Sequence, residues 1–262
     1  MGWEYLWILL IVSAALCAVG FYKYVYFLSI GYGFAVAGIG AALMILFGGQ
    51  MRSVGFAQCI LFILYGARLS GFLLAREIRS AGYRKTMNEA TAGGKNMPVF
   101  VKAAIWIFVS VLYVAQTSPV FFRQYNGAQD AVLPWIGAAI CACAIAVEAA
   151  ADAQKSAQKA KKPNMVATEG LYKLVRCPNY FGEVLFWTGV FVGGLSALRG
   201  LGQWLTAALA YVAIVFIMFN GAQRLEKRQV KRYGRLPAYR VYADKTPILL
   251  PFVPLYHLYR GD

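Results

Sequence analysis

Seven runs of about 20 apolar, almost uncharged residues divide this chain, and they leave it few ways to fold. They cover roughly 3–22, 25–48, 54–75, 99–117, 132–152, 180–198 and 203–222. At 1.5 Å per residue, each run is long enough to cross a hydrocarbon layer of about 30 Å as an α-helix. The helix is favoured there because it pairs every backbone N–H and C=O within the segment, where no water can. The sequence therefore predicts an all-α polytopic membrane protein: one domain over residues 1–262, built as a bundle of seven transmembrane helices. Composition agrees, since only 14% of residues are charged against roughly a quarter in soluble domains. The first run carries Glu4 and no basic leader, so it reads as a span and not as a secretory signal.

The net charge of +15 would suggest nucleic acid if the positive residues formed one patch. They do not. With the N-terminus outside or lumenal, the inner side holds Lys23 and the basic residues of 76–102, 153–179 and 223–262, together 22 of the 26 Lys and Arg. The outer side holds Arg52, Arg123 and Arg199, and Arg68 falls within a span. By the positive-inside rule this split places the C-terminus in the cytosol. The basicity is then topological and faces membrane lipids, with no nucleic-acid partner expected.

What the chain lacks excludes several chemistries. Its single histidine, His257, lies in a Pro-rich tail, so histidine-rich di-iron centres and a Ser-His-Asp triad are not expected. Four of the five cysteines fall inside spans, where they act as small apolar groups. Cys141 and Cys143 are two apart on a helix and point to different faces, so no metal site is expected. Cys177 should stay reduced in a cytosol-like compartment. There is neither a Gly-x-Gly-x-x-Gly nor a P-loop.

Polar residues gather in three places. The segment Gly170–Glu183 sets Arg176, Asn179, Tyr180 and Glu183 at the entrance to a span, where ionisable groups are costly and so suggest function. Pro178 suits the first turn of a helix, and Asn179 and Glu183 then share a face. Glu148 and Asp152 also stand four apart on one face, with Lys155 next to them. They either close the helix end by an Asp152–Lys155 pair or meet hydroxyl and amide groups of a ligand. Tyr65 and Arg68 lie within the third span. They either fill and pair within the bundle or face a cavity. The tail 223–262 is a cationic headgroup anchor or a cap over a cytosolic cofactor.

The stretch from Leu171 to Glu183, with Asp152 upstream and Pro237-Ala238-Tyr239 and Ile248-Leu249-Leu250-Pro251-Phe252 downstream, resembles the steroid 5-alpha-reductase family. The resemblance covers roughly residues 60–255 and is closest to a branch of small multi-span membrane proteins. It implies a seven-helix bundle with NADPH held between inner helix ends and capping cytosolic loops. Asp152, Asn179, Tyr180 and Glu183 would bind its nicotinamide and ribose parts, and Arg176, Arg79 and Arg228 its phosphates. Tyr239 would belong to the closing tail. Tyr65 would hold the substrate carbonyl, with Arg68 easing developing negative charge. The implied reaction is reduction of an activated carbon–carbon double bond in a lipophilic, steroid-like or other enone substrate. The steroid reductases pair that tyrosine with a glutamate on an earlier helix, whereas residues 25–60 here contain no acid. A shorter Arg-x-Pro-x-Tyr-x-Gly-like signature in isoprenylcysteine methyltransferases leaves an S-adenosylmethionine-dependent lipid methyltransferase as an alternative. A non-catalytic membrane scaffold of the same fold is a third reading.

Overall fold

A computed structural model describes residues 3–92, 94, 97–130 and 132–259 of the chain. Lys95 and Arg260, counted above among the inner cations, lie outside them. The described residues form helices and turns without a strand. The helices are α1 (Trp3–Cys17), α2 (Ile30–Phe47), α3 (Ser53–Arg79), α4 (Ala81–Ala92), α5 (Val99–Tyr125), α6 (Val132–Lys161), α7 (Pro178–Gly194), α8 (Gly200–Tyr233) and α9 (Pro237–Lys245). All but α4 and α9 are long and apolar enough to cross a membrane once the short 3-10 turns that continue α1, α2 and α7 are included, as spans Glu4–Phe21, Ile30–Gln50 and Pro178–Ala197. The protein is thus a multi-pass integral membrane protein built on seven such helices.

Several helices outrun their apolar runs. α6 continues nine residues past 152 to Lys161, and α8 continues eleven past 222 to Tyr233. Their polar ends need no apolar stripe, because in water the helix only has to satisfy its own backbone.

The helices pack as two compact units, one of Met1–Ala138 with Val190–Ala210 and one of Ala139–Gly189 with Tyr211–Asp262. In the first unit, α2 and α3 cross with their backbones in contact. A Cβ on Gly66 would sit 2.1 Å from the Gly33 carbonyl oxygen, and one on Gly40 would sit 2.8 Å from that of Cys59. Such small-residue seams let membrane helices pack closely without a hydrophobic driving force. The Ser70 hydroxyl donates to the Ile30 carbonyl oxygen at 2.7 Å across the same crossing. At the polar end of α3, buried Glu77 accepts hydrogen bonds from Lys23 and from the Tyr26 hydroxyl. Burial and this bond to Glu77 together push the Tyr26 hydroxyl up to about 12.

The far end of α5 closes in a Schellman turn. Gly127 takes φ +60°, Ala128 N–H donates to the Arg123 carbonyl and Gly127 N–H to that of Gln124, the bonding pattern that a left-handed glycine permits. Arg123 is 2% exposed. It donates to the Gly193 carbonyl, the Ser196 hydroxyl and both the carbonyl and carboxylate of Asp130. Arg123 is thus spent on tying the α5–α6 turn to the end of α7.

In the second unit, the loop before α7 pairs with the C-terminal tail. Arg176 N–H donates to the Pro247 carbonyl and Cys177 N–H to that of Ile248, at 2.8 and 3.0 Å. Ile248 and Leu249 are fully buried against Cys177 and Ala222. Tyr239 and Ala243 of α9 pack on Tyr233. The tail is therefore a folded cap on its own unit, stapled by apolar contacts that its polar sequence hides. The Cys177 thiol is free, and burial pushes it up to about 12.

Candidate functional site

Three elements of the second unit converge on the polar entrance to α7. α6 brings Glu148 and Asp152, both buried. The loop and first turn of α7 bring Arg176, Asn179, Tyr180 and Glu183, and α9 brings Tyr239. Asn179 Nδ2 donates to Asp152 Oδ1, so the two residues that the resemblance assigns to one ligand are in direct contact. Gly182 makes this approach possible, since a Cβ there would meet Glu148 Cγ at 2.3 Å. Glu183 accepts the Trp187 indole N–H at 2.9 Å one turn along α7, which fixes its rotamer. Tyr180 lies against Gly221 of α8, whose Cβ would fall 3.3 Å from the ring.

Arg176 is almost fully buried and its guanidinium forms an ion pair with Glu226 at 2.7 Å, both side chains being at most 1% exposed. It also donates to the Tyr256 carbonyl. Glu226 is the residue that sequence reasoning missed. It accepts the backbone N–H groups of Leu258 and Tyr259, each at 2.8 Å, and lies 3.0 Å from His257 Nδ1. His257 Nε2 is in turn 3.0 Å from Asp244 of α9. One signal was available: Glu226 is the sole acid between Arg224 and Arg235. A lone carboxylate in so basic a run has many partners to choose from.

Not all of these groups are satisfied within the protein. Arg176 Nε and Nη1, Asn179 Oδ1 and the Tyr239 hydroxyl are buried and find no hydrogen-bond partner among the described residues. Unpaired groups of this kind cost about 1–3 kcal/mol each and are therefore unusual in a finished core. Burial holds the Tyr239 hydroxyl above its ordinary range, while the nearby Arg176 guanidinium pulls it down. Arg228 is exposed on α8.

Tyr65, Arg68 and Arg79 belong to the first unit. Tyr65 is fully buried, edge-on to Tyr32 at 6.0 Å, and Tyr32 lies 4.6 Å from Tyr113. The Tyr113 hydroxyl is anchored on the Phe27 carbonyl at 2.7 Å. These rings hold Tyr65 where the Gly33–Gly66 crossing begins. Arg68, three residues on, is half-buried and Arg79 is exposed at the end of α3.

Residues 19–246 match the family described as a protein of unknown function, DUF1295. The chain belongs to the DUF1295 family. The matched region of this DUF1295 protein contains every candidate catalytic and cofactor residue named above, from Tyr65 to Tyr239, while Ile248–Phe252 and His257 lie beyond it. An uncharacterized protein of Schizosaccharomyces pombe is 35% identical over 83 residues, a stretch that makes up 31% of this chain and 22% of that protein's length. No solved structure matches the DUF1295 chain.

Proposed function

We propose that this protein is an NADPH-dependent reductase of an activated carbon–carbon double bond in a lipophilic substrate, as its resemblance to the steroid 5-alpha-reductase family implies. One observation carries the reading. Three of the eight residues that the resemblance assigns to the cofactor, Arg176, Asn179 and Tyr239, carry buried polar atoms that find no hydrogen-bond partner among the described residues. Two guanidinium N–H groups, an amide oxygen and a phenol form a donor and acceptor set that fits a ribose, carboxamide or phosphate. Such a set fits an adenine–nicotinamide dinucleotide better than it fits a dry core.

When bound, NADPH would supply a hydride to the β-carbon of the enone, and the resulting enolate would be protonated at its α-carbon afterwards. The protein's part is to hold and to polarise. Asp152 and Asn179, already bonded to each other, would orient ribose hydroxyl and carboxamide groups. Glu183 would do so from the next turn of α7, braced by Trp187. Arg176 and Tyr239 would receive the more anionic part, with Arg79 and Arg228 contributing from exposed positions. Tyr65 would donate its hydroxyl to the substrate oxygen as negative charge develops there, a preorganised contact that is strongest away from water. Arg68, one turn away on α3, would stabilise the same charge. The N-terminus is outside or lumenal in this reading and the cofactor comes from the cytosol.

Binding of NADPH to the detergent-purified protein, followed by calorimetry, tests the proposal. Asp152→Ala and Asn179→Ala should each weaken it at least ten-fold, whereas Tyr65→Phe should spare it and lower enone turnover. Binding of S-adenosylmethionine alone would move the protein to the methyltransferases. Binding of neither would identify a scaffold.

A further inference from the structure

A second site lies wholly within the first unit. Residues of α1, α5 and the first turns of α8 line a cleft of about 570 Å³, within the range of pockets that bury a small organic ligand. Its walls are almost entirely hydrocarbon, including Leu6, Leu10, Val111 and Val114, and no charged side chain lines it. Phe121 and Tyr125 stack on each other along one side, with ring planes 16° apart and centroids at 5.7 Å.

The polar groups in this cleft differ in one respect. Thr206 donates to the Gly202 carbonyl at 2.8 Å, and the Gln203 amide is engaged by Asn126 and the Arg199 N–H. Ser118 is 1% exposed and its hydroxyl finds no partner among the described residues. Hydroxyls elsewhere on α5 bond back to their own helix, Ser110 to the Trp106 carbonyl and Thr117 to that of Tyr113. Ser118 lies seven residues before the end of α5, about 10 Å along the helix axis. A buried hydroxyl without a partner is costly.

We propose that the α1/α5/α8 cleft binds a neutral lipophile carrying a carbonyl, which accepts a hydrogen bond from the Ser118 hydroxyl. The absence of charge among the described lining residues selects a neutral ligand, and Ser118 selects one with a hydrogen-bond acceptor. The site does not depend on the reductase reading, because Ser118 and the cleft walls share no residue with Tyr65, Asp152 or Asn179.

The probe is 4-decylbenzophenone, a neutral aryl ketone that inserts into nearby C–H bonds under ultraviolet light. The full-length protein in detergent is irradiated with it, and the labelled peptides are mapped by mass spectrometry. Label should fall on α1 and α5 peptides containing Leu10, Val111 or Val114. Ser118→Ala should weaken half-maximal labelling about five-fold, the scale of one neutral hydrogen bond, and Ser118→Thr should restore it. Ala115→Phe, which fills the cleft, should abolish labelling, with a thermal melt confirming that this variant folds. Tyr65→Phe and Asp152→Ala should leave labelling unchanged. The proposal is overturned if Ser118→Ala labels like the parent, if label falls elsewhere, or if the carbonyl-free 1-benzyl-4-decylbenzene competes as well as the unreacted ketone. That last result would reduce the cleft to a seat for any hydrocarbon chain.

Discussion

Arg176 carries two demands at once. Its Nη2 closes a buried ion pair that joins the loop before α7 to α8 and the tail, while its Nε and Nη1 remain unsatisfied. Desolvating two charges is unfavourable, and their attraction offsets this only when further hydrogen bonds complete the pair. Glu226 has those bonds, from Leu258, Tyr259 and the His257 ring. Breaking the pair from one side should therefore cost more than replacing both partners. Glu226→Leu is expected to lower stability by about 3–5 kcal/mol, and the double change Arg176→Met with Glu226→Leu to recover much of that loss. Chemical denaturation in detergent would measure both, and a single-variant cost below about 1 kcal/mol, the scale of an exposed pair, would contradict this account. Asp130 gives a second, pH-dependent prediction. Burial pushes its carboxyl up, but the Ser196 hydroxyl and the Arg123 guanidinium together hold it below its ordinary value of 3.8. A depressed carboxylate contributes stability that is fully present above that value and is lost as pH falls through the lower, folded one. Asp130→Asn should thus remove stability at pH 7 and flatten the acid limb of the melting curve, a change read by scanning melts from pH 7 down to pH 3. The carboxylate is more than a third exposed, so solvent screening keeps the effect small.

At the scale of elements, the α2–α3 crossing sets where Tyr65 stands. Gly66 touches the Gly33 carbonyl across that seam, whereas a Cβ on Gly71 of the same helix would meet nothing within 4 Å. The two positions should respond oppositely to alanine. Gly66→Ala must push the helices apart and should cost about 1–3 kcal/mol, as overpacking does. Gly71→Ala should gain up to about 1 kcal/mol from helix propensity alone. Thermal melts of the two variants would check the sign of each, and equal shifts would mean that the seam does not control the packing. The spans themselves were legible in sequence because hydropathy acts residue by residue: seven runs became seven membrane-length helices. The polar extensions of α6 and α8 were not legible, since a helix in water announces itself by neither length nor hydropathy. The tail was read as headgroup anchor or cofactor cap for the same reason. Its docking rests on Ile248 and Leu249 meeting Cys177 and Ala222, contacts between segments tens of residues apart. The candidate site divides similarly. Glu148 with Asp152, and Asn179 with Glu183, were visible as i, i+4 pairs. The Asp152–Asn179 bond needs the packing of α6 on α7, and the Arg176–Glu226 pair spans 50 residues.

Across the whole molecule, the distribution of charge favours one orientation in the membrane over the other. The turn after α2, the last turn of α5 and the turn before α8 carry one arginine each, Arg52, Arg123 and Arg199, and Arg123 is spent on an internal network. The loops after α3 and α6 and the end of α8 hold the remaining clusters of Lys and Arg. Seven spans place the chain ends on opposite sides, so one orientation puts nearly all exposed cations on a single face, the one that the positive-inside rule assigns to the cytosol. Lys162, exposed after α6, and Arg199, exposed before α8, report on the two faces. Among the described residues, four of the five cysteines are buried, so new ones introduced at these positions can be distinguished by peptide mapping. In intact cells a membrane-impermeant maleimide should label Arg199→Cys at once and Lys162→Cys only after permeabilisation. The reverse pattern would turn the molecule over and expose the α6 end, with Asp152 and Arg176 beside it, to a compartment poor in pyridine nucleotides. The reductase reading could not survive that result, because its cofactor residues would then face the wrong side.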